Sequence, residues 1–286
     1  MTPAPGTAPG GVLYVVATPI GNLADVTLRA LDVLREVPLI AAEDTRLTRR
    51  LLDRHGITGR TTSFHARSAA SRLETLVEHL RNGQDLALVT DAGTPAVSDP
   101  GADLVVAWAA AGGRVVPIPG ASAVLAAVAA TGVTGPRWTF EGFLPRSGRG
   151  RRERLATIAA DTRGSVIFEA PRRVAGTLRD LAAACGGSRS GAVARELTKV
   201  HEQIVRGTLA ELAAAVDDGS IPSRGEFVLV VGMGEAPAGP GEDAVATAVA
   251  AVDRLVDEGV ARGEAARRVA AETGVPRRRL YRPADV

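Results

Sequence analysis

The fold of this chain turns on one run of residues, Leu86-Ala-Leu-Val-Thr90, continued directly by Asp91-Ala-Gly-Thr-Pro-Ala-Val-Ser-Asp99-Pro-Gly101. An apolar run of that length, closed by Gly and Pro, reads as a buried parallel strand ending in a rigid loop. Ligands of open α/β sheets sit at the carboxyl ends of such strands, so this loop is the first candidate for a site. Gly93 lets backbone approach a ligand closely, while Pro95 and Pro100 fix φ and lower the entropy lost on ordering. Thr94 and Ser98 add hydroxyls. The plainer alternative is that Asp99-Pro-Gly is only the turn and N-cap of a helix over about residues 101–112.

Upstream, residues 12–17 predict a first strand ending in Thr18-Pro-Ile-Gly-Asn22. A helix with Leu28, Leu31 and Leu34 on one face, a strand over residues 39–42, and a helix carrying Leu47 and Leu51 and stopping at Gly56 follow. In the next helix Ser71 and Glu74 have capping-box spacing, Leu73, Leu76, Val77 and Leu80 form the stripe, and Gly83 marks the stop. Downstream come a helix with Leu104 and Trp108 and a strand over residues 114–118. This βα alternation predicts an N-terminal α/β domain over residues 12–118, with a mostly parallel sheet covered by helices.

From Pro119-Gly-Ala-Ser122 an Ala-rich helix runs to about Thr131, and the pattern then changes. Strands over residues 138–141, 165–169, 192–196, 203–206 and 226–231 predict a mixed-sheet α/β domain over residues 119–232, leaving a cleft between the two domains for a cofactor. Residues 1–11 read as a disordered tail and 233–242 as a linker. Residues 243–286 read as a small helical unit. Within it, Glu264 to Tyr281 has a helix, a turn centred on Gly274 and a basic second helix at helix-turn-helix spacing, expected to contact nucleic acid.

The chain has 286 residues, 45% of them apolar and 23% charged, within the range of soluble globular domains. Aromatics are only 3%, so the core must be Leu, Val and Ala. The single cysteine, Cys185, excludes an internal disulfide framework, fits a reducing, cytoplasmic compartment, and is expected to be a small buried apolar side chain. No signal-peptide pattern or membrane-spanning run is present. Net charge is +2, unevenly spread. Residues 137–154 hold six Arg against two Glu and residues 262–286 seven Arg against three acids, so the remainder is net negative. Two basic patches on an acidic remainder point to a polyanion, nucleic acid first.

No G-x-G-x-x-G follows the first strand and no Walker loop is present, so dinucleotide and nucleoside-triphosphate readings lose their usual support. Four scattered His and one Cys give no metal-ligand spacing. The motifs present are Ala17-Thr-Pro-Ile-Gly-Asn-Leu23, Ala41-Ala-Glu-Asp-Thr-Arg46, Asp91-Ala-Gly-Thr-Pro95, Val116-Pro-Ile-Pro-Gly120, Glu141-Gly-Phe-Leu-Pro145, Ala194-Arg-Glu-Leu-Thr-Lys199 and Gly225-Glu-Phe-Val-Leu229. In order and spacing this set closely resembles the bacterial small-subunit (16S) ribosomal RNA cytidine 2'-O-methyltransferases of the tetrapyrrole (corrin/porphyrin) methylase superfamily, over residues 12–286.

The resemblance implies a two-domain homodimer that binds S-adenosylmethionine between its domains and methylates the ribose of a cytidine in the decoding region of the small ribosomal subunit. It carries cofactor contacts onto Pro19, Ile20, Gly93, Thr94, Val97, Ser122 and Ala123, and in the second domain onto Glu169, Ala170 and Leu197. Thr94 stands where relatives hold Asp, so this loop must recognise its ligand through backbone and hydroxyl groups. His65-Ala-Arg-Ser68 and Pro171-Arg172 also depart from the family pattern, which has a His-Asn pair and a Thr-His there.

A ribose hydroxyl is a weak acid, so a nearby base would help the transfer. Candidates are Glu43 or Asp44 after the second strand, Glu196 after a second-domain strand, and Lys199, which could act as a base if desolvated or hold a phosphate as a cation. The alternative for each is an ion pair at a domain surface. Arg146, Arg149, Arg151 and Arg152, with Arg277, Arg278 and Arg279 in the terminal unit, are the expected phosphate contacts, and no metal is expected.

Overall fold

In the computed structural model, residues 10–65, 70–234 and 241–281 are described. The chain divides into two compact units, Met1–Gly234 and Glu235–Val286. The first unit holds two five-stranded sheets. β1 (Val12–Val16), β2 (Leu39–Ala42), β3 (Thr61–Ser63), β4 (Leu86–Val89) and β5 (Arg114–Ile118) form a sheet of order β3-β2-β4-β1-β5 in which every pairing is parallel.

This sheet is buried on both faces, which is why β4 reads as an unbroken apolar run. Ala87 and Val89 join Val16, Ile40 and Ile118 under α1 (Leu28–Glu36) and α2 (Thr45–Arg54). Leu86 and Leu88 join Leu13 under α3 (Ala70–Arg81) and α4 (Ala102–Ala110), with Trp108 wholly enclosed. β1 lies beside β4, yet the chain leaves β1 towards β2 and leaves β4 towards β5. Their connections diverge to opposite sides, and that divergence opens a crevice at the carboxyl ends of the two strands.

Two local expectations need correction. The edge strand β3 was not predicted, because Thr61-Thr-Ser63 has no apolar run and pairs on one side only, with β2. Ser71 does not cap α3. The helix already includes Ala70, so Ser71 lies within its first turn and its carbonyl accepts a bond from the Thr75 hydroxyl.

α5 (Ala123–Thr131) leads into the second sheet, built of β6 (Trp138–Phe143), β7 (Gly164–Glu169), β8 (Ser190–Arg195), β9 (Gln203–Thr208) and β10 (Phe227–Val231). Its order is β6-β7-β10-β8-β9, with β6 and β7 parallel and the other pairs antiparallel. One face packs on α6 (Gly148–Ala160), α7 (Val174–Cys185) and α8 (Leu209–Asp217). Cys185 packs against this cluster half-buried, and burial pushes its thiol up. The other face packs on Val124 and Ala127 of α5 and on Ile20 from the loop after β1, joining the sheets through one apolar cluster.

The second unit consists of α9 (Glu242–Asp257) and α10 (Arg262–Thr273), closed around Ala248, Val252, Ala266, Val269 and Leu280. Gly274 ends α10 in the left-handed conformation. The basic second helix expected beyond it is a single 3-10 turn, Arg277–Arg279, because Pro276 opens it and Leu280 must be buried one turn later. Of the expected linker, residues 235–240 lie outside the described residues.

Candidate cofactor cleft and active site

The loops leaving β1 and β4 are sewn together at the crevice. Thr18 and Gly93 exchange backbone bonds of 2.9 and 3.0 Å, and the Thr18 hydroxyl donates to the Thr90 carbonyl at 3.0 Å. Only glycine is free of penalty at the φ of +85° that Gly93 adopts. Beyond it, Ala96 and Ser98 both take φ of +67°, a strained choice for side-chain-bearing residues that concentrates at functional loops. The second sheet answers with a loop of the same kind, in which Glu196 (+50°) and Thr198 (+66°) flank Leu197. The loop after β1 meets this second-sheet loop where the Asn22 amide donates to the Thr198 hydroxyl at 3.1 Å and Gly21 lies against Lys199.

Between them is a cavity of about 370 Å³, within the range of small-molecule sites. Of the expected cofactor positions, Ile20, Gly93, Thr94, Val97, Ser122, Ala123, Glu169, Ala170 and Leu197 all line it. Pro19 does not; it is buried beside Ile20. Ser122 also caps α5, accepting from the Leu125 amide, and the Thr94 hydroxyl reaches the Ala121 carbonyl at 3.4 Å.

The ionisable groups on the wall are Asp99, Glu169 and Glu226, with no Lys, Arg or His among the lining residues. Glu169 is buried and fully engaged, by the Thr177 hydroxyl at 2.6 Å, the Ala170 amide at 2.8 Å and Arg173 at 3.0 Å. Asp99-Pro-Gly is the turn into α4 with Gly101 as its N-cap, as the plain reading expects, but the Asp99 side chain does not cap the helix: it lines the cavity and makes no hydrogen bond or ion pair among the described residues. Burial, then the nearby Glu43 and Asp91 carboxylates, push Asp99 up to about 6. Walls that are apolar, acidic and free of cations suit a nucleoside-sized ligand carrying positive charge, and they oppose a phosphate.

None of the four expected bases lines the cavity. Lys199 bonds Glu196 at 2.9 Å and Glu226 at 3.0 Å; burial lowers its pKa, but these two partners outweigh it and the net shift is upward, so the amine stays protonated. Burial raises Glu196, yet Lys199 and the Glu226 amide bring it below its usual range. Asp44 caps α2 and is held at about 2 by Arg46. Glu43 is raised, chiefly by burial, and accepts from the Asp91 amide at 3.3 Å, which places it in the acidic group beside Asp99.

The expected phosphate contacts separate in the same way. Arg146 and Arg152 are exposed, and Arg149 is exposed while pairing with Glu153. Arg151 is 11% exposed and spends its donors on Asp180, the Thr177 hydroxyl and the Pro145 carbonyl, so it braces α6 against α7. Arg277 leans on Tyr281, Arg278 is exposed, and Arg279 is half-buried. Of His65-Ala-Arg-Ser68, only His65 lies within the described residues. No group of metal-ligating side chains is found among the described residues.

A switch-point crevice in a parallel sheet, roofed by a mixed sheet and walled by apolar and acidic groups without cations, defines a two-lobed α/β protein whose nucleoside-sized cleft disfavours a phosphorylated ligand. The chain belongs to the Tetrapyrrole (Corrin/Porphyrin) Methylases, whose family model matches residues 12–213. The family is S-adenosylmethionine-dependent, so S-adenosylmethionine is the cofactor and the chain is a methyltransferase. It is 44% identical over 271 residues, 95% of this chain and 96% of the relative, to "Ribosomal RNA small subunit methyltransferase I" of Synechocystis sp.. Among solved structures, a cobalt precorrin-4 methyltransferase matches with TM-score 0.61 at 19% identity, covering 77% of this chain and 94% of that one. The uroporphyrin-III C-methyltransferase of Thermus thermophilus, solved with S-adenyl homocysteine, matches with TM-score 0.55 at 18% identity, covering 78% of this chain and 97% of that one.

Sequence reasoning missed Asp99, Glu226 and Phe143 on the cavity wall. Asp99 was legible as an acid inside the loop, but it was assigned to turn chemistry.

Proposed function

We propose that this chain methylates small-subunit ribosomal RNA at the ribose 2'-hydroxyl of a cytidine in the decoding region. The observation that carries the proposal is the 44% identity, along nearly the whole of both chains, to a protein named for that RNA. S-adenosylmethionine supplies a methyl group on a positively charged sulfur. Backbone at Gly93 and Ala170, the Thr94 and Ser122 hydroxyls, and the apolar Ile20, Val97, Ala123 and Leu197 hold it in the cleft. Transfer is then a matter of aiming the hydroxyl oxygen in line with the methyl carbon.

Asp99 is the acceptor for the hydroxyl proton. It is the wall carboxylate with no hydrogen-bond or ion-pair partner among the described residues, and a pKa of about 6 leaves it ionised at neutral pH yet basic enough to take a proton. With the methyl donor bound in the cleft, Asp99 would take the proton that the hydroxyl loses and pass it to water. Arg146, Arg149 and Arg152 at the start of α6, with Arg278 in the terminal unit, hold phosphates. The working enzyme is a cytoplasmic homodimer. No helix among the described residues is long and apolar enough to cross a membrane, and exposed Leu28 and Val200 offer apolar surface to a second copy.

The test is calorimetry with S-adenosylmethionine, then label transfer to unmethylated small subunits with the modified position mapped. Cofactor binding without transfer to RNA would favour a small-molecule acceptor. Methyl mapped to a base instead of a ribose would remove the 2'-hydroxyl assignment.

A further inference from the structure

β6 carries a departure from regular strand geometry that faces the cleft. Its register with β7 shifts between Phe140 and Gly142: Phe140 pairs with Val166, Gly142 with Ile167 and Phe143 with Phe168. Glu141 is the extra residue of a β-bulge. Residues 140 and 143 would point to opposite faces of a regular strand, whereas the bulge turns both to the face of Phe168. Gly142, at φ of +61°, takes the left-handed conformation the bend requires. The three rings then cluster, Phe140 edge-on to Phe168 at 4.9 Å between centroids and Phe143 at 5.7 Å.

Phe140 and Phe168 are partly buried, but Phe143 is 56% exposed and lines the cavity. In a chain with five Phe, a bulge that sets one of them on the rim of the cleft is a costly arrangement unless the ring has something to cover. Across the rim, a Cβ at Gly142 would lie 3.3 Å from the Ser98 hydroxyl. The loop that holds Asp99 therefore meets the bulge, and it brings Val97, 39% exposed and also on the cavity wall. Directly after Phe143, Leu144 is buried and Pro145 is held by Arg151, so the ring is rigidly joined to the exposed Arg146, Arg149 and Arg152.

We propose that Phe143 is the stacking platform for the base of the nucleotide being methylated. This rests on the function proposed above. Asp99 and Phe143 line the same cavity, with the ring at its exposed side, so a ribose presented to Asp99 has an aromatic face available to its base, which a base taken out of its stack needs in exchange. The arginines that follow are placed for the flanking phosphates, and a flat ring, unlike a cation, can face an apolar cleft without opposing the cofactor's charge.

The experiment uses the full chain with unmethylated small subunits, comparing wild type with Phe143→Ala, Phe143→Leu, Phe143→Tyr and Phe143→Trp. For each protein the cofactor Kd is read by calorimetry and the KM for subunits and kcat by label transfer. Loss of one base stack raises KM about tenfold to a hundredfold in Phe143→Ala and Phe143→Leu, with the cofactor Kd unchanged, and the two aromatic variants restore it. The proposal is overturned if Phe143→Leu matches wild type, since the ring is then only apolar cover. It is also overturned if the cofactor Kd weakens in step with KM, since the ring then belongs to the adenosine. Should Phe143→Ala fail to fold, the Leu and Tyr variants decide between these outcomes. Wild type that binds cofactor but leaves subunits unlabelled removes the proposed function, and the platform with it; labelled wild type with indifferent variants removes the platform alone.

Discussion

Replacing Asp99 by Asn separates stability from catalysis. The carboxyl is raised from 3.8 to about 6 by burial, with Glu43 and Asp91 adding repulsion. A shift of about two units corresponds to an upper bound of about 3 kcal/mol, and for a half-solvated group screening reduces it to about 1 kcal/mol. The sign follows from proton counts. Between about pH 4 and pH 6 the native state binds more protons at this position than the unfolded chain, so stability falls as pH rises through that window and stays lowered above it. Asp99→Asn keeps the shape, removes the charge, and is expected to stabilise the protein by about 1 kcal/mol at pH 8 while changing nothing at pH 4. Urea denaturation at the two pH values reads this.

The same variant is expected to lose on the order of 10²–10⁴ in kcat, and the acidic decline of wild-type kcat/KM below about pH 6 is expected to vanish with it. A bound sulfonium moves that decline to lower pH, so S-adenosylmethionine should bind wild type more tightly at pH 8 than at pH 5. S-adenosylhomocysteine, which lacks the charge, should show a smaller difference. A protein that is more stable and less active has not lost activity by unfolding. If Asp99→Asn kept kcat within about threefold of wild type, or kept the acidic decline, Asp99 would not be the proton acceptor.

Three further outcomes test the surroundings. A Cβ at Gly21 would lie 2.5 Å from Lys199 Cγ and 3.0 Å from the Leu197 carbonyl, so Gly21→Ala should force the two loops apart and cost about 1–3 kcal/mol in thermal or urea unfolding; an unchanged midpoint would mean the loops are not packed this way. Thr94→Trp should fill the cleft beside Gly93 and abolish cofactor binding in a calorimetric titration of folded protein, and unaltered affinity would place the cofactor elsewhere. Removing residues 243–286, which lie in a unit with its own apolar core, should weaken subunit binding while leaving cofactor Kd as it was; equal loss of both in a folded truncation would defeat that division.

What could be read from the sequence follows how local each signal is. β4 and the loop after it were legible because a strand buried on two faces must be apolar throughout, and Gly93, Pro95 and Pro100 constrain the backbone whatever surrounds them. β3 was not, since Thr61-Thr-Ser63 becomes a strand only because β2 offers it a free edge. The capping box of α8, Thr208 with Glu211, was present in the letters and went unread, while the one that was read, Ser71 with Glu74, lies inside its helix. Spacing alone does not say where a helix begins.

The site divides along the same line. Positions at fixed offsets from a strand end, such as Ile20, Gly93 and Ser122, arrive at the cleft because the strand delivers them. A residue's charge state depends on neighbours brought from elsewhere in the chain. Lys199 looks like a usable amine until Glu226, folded back from 27 residues downstream, fixes its proton. Asp99 looks like part of a turn until burial in the folded cleft, with Glu43 from 56 residues upstream adding repulsion, makes its ionisation costly. The group suited to take a proton is thus the one whose partners were missing, and a missing partner is visible only after folding has assigned partners to all the other groups.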